Sequence, residues 1–466
     1  MTMRYDFDLV CIGSGPAGQR AAVQAAKLGQ RTAVVERGRV VGGVCVDTGT
    51  IPSKTFREAV LSLGGRACPG KTKQQLGPVI RPTAEELFAR VAEVKQRQTD
   101  IVEDQLRRND VMVLKGEASF TDPHTVVVTS DDTSSIVTAA HILIAVGTIP
   151  APPPGVATEP NLVVTSDEVL QLTRLPRRLT VVGAGVIGIE YASMFAALGI
   201  DVTVIDKRDR PLEFLDREIV DELLSQMRNR DVTFHLGEEV ERLDIAEGPP
   251  RRAVMFLESG KRLVSELVLF CAGRQGATAR LNLPAAGLKA DDRGRLAVDR
   301  HFRTGVPHIF AAGDVIGFPS LATTSAEQGR LAVCAAFGIE AEPMAPHFPI
   351  GIYAIPEISM VGEPEHELTA RQVPYETGLA RYREIARGHI LGDDSGLLKM
   401  LFHRENHRLL GVHVIGTGAT ELIHIGQAVL GLGGGLDYFL TTAFNYPTLA
   451  ECYKVAALDA YNKLAG

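Results

Sequence analysis

The sequence predicts an α/β fold in which one strand–loop–helix–strand unit occurs twice, followed by a smaller α+β region. Two observations carry this. Gly13 and Gly183, Gly29 and Gly199, and Glu36 and Asp206 each stand 170 residues apart, so an internal repeat holds its register over a whole unit. After about residue 345 the texture changes to alternating strands such as Leu397-Leu398-Lys399-Met400-Leu401-Phe402. The length of 466 residues agrees with about three domains at about 150 residues each.

In the first unit Asp8 to Ile12 read as a strand, Gly13-Ser14-Gly15-Pro16-Ala17-Gly18 as a turn, and the following small residues as a helix to Leu28-Gly29. Thr32 to Val35 form the second strand, which ends in Glu36. In the second unit Leu179 to Val182, Gly183-Ala184-Gly185-Val186-Ile187-Gly188, a helix to Leu198-Gly199 and Val202 to Ile205 repeat this, ending in Asp206. The first glycine of each loop permits a tight turn, the second lets the backbone approach a pyrophosphate, and the third lets helix and strand pack closely. The phosphates then face the helix N-terminus, and the acid 23 residues after the first glycine accepts hydrogen bonds from a ribose. Gly13, Gly15, Gly18, Gly183, Gly185 and Gly188 are therefore cofactor-binding candidates, with Glu36 and Asp206. Two Rossmann-like dinucleotide-binding domains in one chain suit a flavoprotein that exchanges electrons with a nicotinamide.

Composition narrows the partners. A net charge of −7 gives no basic field for nucleic acid or anionic lipid. With 45% hydrophobic and 23% charged residues the chain is not disordered. Six cysteines, at 11, 45, 68, 271, 334 and 452, stand singly, which is neither a secreted disulfide framework nor a metal site. The apolar run from Ala139 to Ala157 is broken by Pro150, Pro152, Pro153 and Pro154, and Tyr5 to Ile12 show no secretory pattern. A soluble, cytoplasmic protein is expected.

Further along, Thr304-Gly305-Val306-Pro307-His308-Ile309-Phe310-Ala311-Ala312-Gly313-Asp314 reads as an extended segment closed by an acid. Here the chain resembles the FAD-dependent pyridine nucleotide–disulfide oxidoreductases, over about residues 5 to 464. The resemblance assigns tightly bound, non-covalent FAD to the first glycine-rich unit and NAD(H) or NADP(H) to the second. It places Asp314 on the flavin's ribityl chain and Ser14, Arg37, Gly43, Gly116, Gly147 and Ala322 around FAD. Cys271-Ala272-Gly273-Arg274 resembles the loop closing the nicotinamide domain, which brings Gly273 to that site. It implies an FAD domain at 1–150 and 276–345, joined through a stiff Pro150–Pro154 exit to an NAD(P) domain at 151–275. Residues 346–466 resemble the family's interface domain, so a homodimer is expected, with higher assemblies open.

The chain departs from that family at its reactive centre. Two cysteines five positions apart are expected there, but the segment reads Cys45-Val46-Asp47-Thr48-Gly49-Thr50-Ile51-Pro52-Ser53-Lys54. Thr50 cannot form a disulfide with Cys45; Cys68 remains a distant alternative. The family's C-terminal motif carries a histidine before Pro-Thr and a glutamate five positions after it, whereas this chain has Tyr446-Pro447-Thr448 and Glu451. A phenol is only about one part in a thousand ionised at pH 7 and is a poor thiol base. Cys45 with Thr50, and Phe444-Asn445-Tyr446-Pro447-Thr448, resemble the branch of the family that moves hydride between nicotinamide nucleotides through FAD. Phe318-Pro319-Ser320-Leu321-Ala322 and Ile423-His424-Ile425-Gly426-Gln427-Ala428 support that branch. A ping-pong transfer from NADPH to NAD⁺ at one nicotinamide site is expected. Lys54 and Glu190 match the family's ion pair beside the flavin. Asp206 favours NAD, while Lys207, Arg208 and Arg210 offer a clamp for the extra phosphate of NADP. Cys45 is read as a leftover small residue or a modulator of flavin potential. A diaphorase or NADH oxidase, a lipoamide-type reductase, and a non-catalytic nucleotide-sensing protein stay open as alternatives.

Overall fold

The computed structural model describes residues 5–38, 40–63, 82–131, 133–153 and 155–465, so Cys68 and Pro154 lie outside the described residues. Two parallel sheets share one plan. In the first, strands run in spatial order Met112–Lys115, Thr32–Glu36, Phe7–Ile12, Ser134–Ile144, and Ile309–Ala311 pairs on the far side of the last. In the second the order is Val232–Leu236, Asp201–Asp206, Arg178–Val182, Leu267–Phe270, Val163–Thr165. Their central strands, Leu9-Val10-Cys11-Ile12 and Leu179-Thr180-Val181, are buried on both faces, as parallel strands covered by helices must be.

Each sheet also carries an antiparallel flap. Glu117–Asp122 and Thr125–Thr129 extend the first through the long strand 134–144, and Val240–Ala246, Arg252–Leu257 and Arg262–Ser265 form a separate ribbon beside the second. The repeat read from the loops therefore extends through the connectivity of both units.

Helix α1 (Pro16–Lys27) starts with proline at its first turn, where no N–H is needed. Its buried Ala17, Ala21, Ala22 and Ala25 permit close packing on the helix Ala322–Ala336, where a side chain on Gly329 would strike the Ala17 carbonyl. Two short elements, α2 (Gly43–Asp47) and α3 (Thr50–Leu63), carry the Cys45–Lys54 segment. Helix α4 (Ala84–Arg108) opens with a reciprocal capping box between Thr83 and Glu86. Helix α5 (Val186–Ala197) follows the second glycine loop and is almost entirely buried.

The C-terminal region is an antiparallel sheet in the order Ile350–Ile352, Ile358–Gly362, Leu409–Ile415, Leu397–His403, Tyr375–Arg381. Helices Ala419–Gly431 and Glu451–Ala465 pack on it. One apolar core joins all three regions and includes Phe56 of α3, Phe195 of α5 and Ile355; the Phe56 and Phe195 rings are 5.6 Å apart. The proline-rich exit, expected as a stiff spacer, begins inside a ribbon. Thr148–Pro150 pairs antiparallel with Arg274–Gly276, so the chain leaves and re-enters the first sheet through one pair of strands. No described helix is long and apolar enough to cross a membrane.

Candidate nucleotide-binding cleft

The two glycine loops are superposable in detail. Gly13 and Gly183 both have φ of +106°, and each donates its N–H to the neighbouring strand, at Val35 and Ile205 respectively, over 2.8 Å. A side chain on Gly18 would lie 1.9 Å from the Gly13 carbonyl oxygen, and one on Gly188 would lie 1.9 Å from that of Gly183. The third glycine thus holds the helix against the turn. A side chain on Gly15 or Gly185 would meet nothing within 4 Å, so both point into open space where a pyrophosphate can approach the backbone.

The acids at the strand ends differ. Glu36 accepts hydrogen bonds from Ser14 N at 3.1 Å, from the Ser14 hydroxyl, and from Gly38 N at 2.6 Å. Asp206 accepts from Ala184 N at 2.6 Å, the counterpart of the Ser14 contact, and also from Arg208 through Nε at 2.9 Å and Nη2 at 2.7 Å. Burial pushes the Asp206 carboxyl up, but the Arg208 and Ala184 hydrogen bonds outweigh it and hold it below the usual range. Lys207 and Arg208 are exposed beside it.

A cleft of about 600 Å³ runs from the first loop to the face of α5. Gly13, Ser14, Gly15, Glu36 and Arg37 line one end; Gly43, Cys45, Thr50 and Lys54 line a wall, and Gly116, Gly147, Asp314 and Ala322 complete that side. Val186, Ile187, Glu190 and Tyr191 enter from α5. Gly18 lies under the loop, and Gly183, Gly185, Gly188, Asp206, Lys207, Arg208 and Gly273 stand outside this lining, around the second loop. Tyr446 and Glu451 do not line it either. Tyr446 is 74% exposed, and Glu451 Oε2 is buried without a partner among the described residues.

At the middle of the cleft Lys54 Nζ contacts both carboxylate oxygens of Glu190, at 2.9 and 2.7 Å, although 136 residues separate them. Glu190 also accepts from the backbone N–H of Tyr353 at 2.8 Å, and the Tyr353 ring stands 5.0 Å from Lys54 Nζ. One carboxylate thus ties together α3, α5 and the C-terminal region. Tyr353 escaped the sequence reading because nothing local marks it.

The sequence marks Arg274 only as part of the Cys271–Arg274 loop. It bonds Thr148 Oγ1 at 2.9 Å, the Thr148 carbonyl at 2.8 Å and Asp167 at 3.2 Å, on the cleft wall. Burial raises the Asp314 carboxyl, with Arg274, Thr148 and Ser325 opposing. Burial likewise raises the Cys45 thiol, against a hydrogen bond with Thr50, so Cys45 stands as a neutral thiol.

These residues fit a flavin dinucleotide. The loop backbone is open at Gly15, a side chain on Gly147 would enter empty space, and two buried hydroxyls of the cleft, Thr48 Oγ1 and Tyr191 OH, have no partner among the described residues. Residues 7–329 match the model of the pyridine nucleotide-disulphide oxidoreductases, and residues 348–457 match that family's dimerisation domain. The chain belongs to this family. Within it, the chain is 52% identical over 461 residues to the soluble pyridine nucleotide transhydrogenase of Mycobacterium tuberculosis (strain ATCC 25177 / H37Ra), covering 98% of each chain. It is 43% identical over 470 residues, again 98% of each, to the protein of the same name from Photobacterium profundum. Among solved structures of the family, the HOCl-induced flavoprotein disulfide reductase RclA from Escherichia coli superposes with a TM-score of 0.87 at 26% identity, covering 97% of this chain and 99% of that one. LpdA from Mycobacterium tuberculosis gives 0.87 and 26%, covering 97% and 98%.

Proposed function

We propose that the protein is a transhydrogenase, moving hydride between NADPH and NAD⁺ in ping-pong fashion at a single nicotinamide site, without an active-site disulfide. FAD, which Gly13, Gly15, Glu36 and Asp314 would hold in the cleft, would supply the hydride-carrying chemistry between the two nucleotides. The chain supplies position and charge. The first glycine loop and the N-terminus of α1 hold the pyrophosphate of FAD, and the second loop and α5 hold that of the nicotinamide nucleotide. Lys54, kept in place by Glu190, offers a fixed cation where negative charge arrives with the hydride.

The observation that carries this reading is the Cys45–Thr50 pair. Where a dithiol relay needs a second sulfur, the cleft presents a hydroxyl hydrogen-bonded to a neutral thiol. Electrons that reach the cleft have no thiol exit through that pair, so the return path is a second nicotinamide. Tyr446, in the place of the family's histidine base, agrees with a centre that never deprotonates a thiol. The reading includes a homodimer, built through residues 346–466, acting in the cytoplasm.

The test is anaerobic. Enzyme is mixed with NADPH and a thionicotinamide analogue of NAD⁺ whose reduced form absorbs at a different wavelength. Analogue reduction with parallel double-reciprocal lines is expected. Intersecting lines would overturn the ping-pong order. Absence of transfer there, with rapid NADH oxidation in a separate aerobic assay or turnover of dihydrolipoamide, would overturn the transhydrogenase reading.

A further inference from the structure

We infer that the Tyr191 hydroxyl binds the carboxamide of the nicotinamide ring. Tyr191 is 2% exposed, yet its hydroxyl has no hydrogen-bond partner among the described residues. A buried hydroxyl left unpaired costs the folded protein stability, so its placement calls for a partner supplied from outside the chain. Val186, Ile187, Glu190 and Tyr191, at positions i, i+1, i+4 and i+5, put one face of α5 on the cleft.

The neighbouring polar groups are already engaged. Glu190 is held by Lys54 and by Tyr353 N, and Asp167 by Arg274, which leaves the phenol open on this wall among the described residues. Its ring is fixed against Phe56, with centroids 6.3 Å apart, so little freedom is lost when the hydroxyl is bound. The other unpaired hydroxyl of the cleft, Thr48 Oγ1, belongs to the turn between α2 and α3, on the flavin side.

Position along the helix selects the ligand group. Tyr191 lies five residues beyond Val186, about 7.5 Å up the axis from the end that faces a pyrophosphate. It is also adjacent in sequence to Glu190, whose partner Lys54 marks the site of hydride transfer in the reading above. A nicotinamide brought there carries one polar substituent, an amide with both a donor and an acceptor. Burial, with Glu190, Cys271 and Asp167 nearby, keeps the phenol protonated, so it too can donate and accept.

The inference rests on the nicotinamide reading of the second glycine unit, and the experiment separates the two. Tyr191→Phe holoenzyme is compared with the unaltered holoenzyme for binding of NAD⁺, NADP⁺ and ADP-ribose, which lacks the nicotinamide, by ligand-induced melting shift and titration. Expected are an increase of about tenfold in Kd for NAD⁺ and NADP⁺ and in KM for NADH and NADPH, as for one lost hydrogen bond. ADP-ribose affinity and FAD content should be unchanged, and the ligand-free melting temperature unchanged or higher. Unchanged Kd and KM values would overturn the contact, as would equal weakening of ADP-ribose. A lower melting temperature or loss of FAD would show the hydroxyl to be structural and overturn it too. If the unaltered holoenzyme binds none of the three, the nicotinamide reading itself fails.

Discussion

Arg208 lies across Asp206 with Nε 2.9 Å and Nη2 2.7 Å from its carboxylate oxygens, so the acid at the end of the second unit is already neutralised. By residue type the two are opposed, the acid favouring a ribose hydroxyl and the arginine a phosphate. Their pairing reconciles them. The Arg208 backbone is held, since Gly237 N donates to its carbonyl at 2.9 Å, but its side chain is 41% exposed and can pivot. On the proposed function, the pair is expected to stay closed with NADH and to release the guanidinium to the phosphate with NADPH.

Arg208→Ala removes both the clamp and the neutralising charge. The KM for NADPH should rise about tenfold or more, in line with loss of a charge-assisted hydrogen bond, while the KM for NADH changes less than about threefold. Equal effects on the two nucleotides in initial-rate assays would show that Arg208 is only a surface partner of Asp206.

Lys54→Met should lower the rate of flavin reduction by NADPH by about 10²–10³, the scale of one preorganised charge in a buried site. Stopped-flow absorbance of the flavin, with FAD content measured alongside, is the check. An unchanged rate in a fully loaded variant would place the Lys54–Glu190 pair among purely structural ties.

Cys45→Ser should keep transhydrogenation within about tenfold, because a neutral thiol beside Thr50 neither relays electrons nor needs a base. A loss beyond about 100-fold in steady-state rate would mean that the sulfur tunes the flavin.

Lys399 is buried with 1% of its side chain exposed, and its ammonium contacts Asp216 at 3.1 Å, Glu218 at 3.1 Å and Glu365. These carboxylates hold its pKa up, at about 12, against burial. Lys399→Met leaves the equally buried Asp216 carboxylate without its cation, held only by the Glu218 and Glu365 backbone N–H groups among the described residues, and should cost about 3 kcal/mol in urea unfolding. A shift below about 1 kcal/mol would show that water reaches the cluster.

His413, beside that cluster, donates from Nε2 to the Glu363 carbonyl at 3.0 Å, and burial lowers its pKa to about 4. An unfolded histidine binds its proton near pH 6.5. Between pH 6.5 and about 4 the unfolded chain therefore takes up a proton that the folded one refuses, and stability falls as pH falls, by up to about 3 kcal/mol. His413→Gln should flatten that part of the melting temperature against pH profile; an identical slope would assign it to other groups.

The two glycine units, their terminal acids and the missing second sulfur were legible because each is a local constraint. A tight turn needs glycine, a helix packed on that turn needs another, and a disulfide needs sulfur, whatever surrounds them. The parallel strands were equally plain as short apolar runs. The ends of the exit segment were not, since Pro150 faces Arg274 across a ribbon only after the second unit has folded.

The sequence by itself thus determined what kinds of ligand the chain is built around and which chemistry its reactive segment lacks. The tertiary structure decided how the charges are spent. Arg208 on Asp206, Tyr353 N on Glu190, Arg274 on Asp167 and Lys399 on Asp216 carry no periodic or motif signal, and in three of the four the partners lie more than 100 residues apart. Such pairings depend on desolvation: a buried charge or hydroxyl must find a partner in whatever the fold brings beside it, and the order of residues does not say what that is.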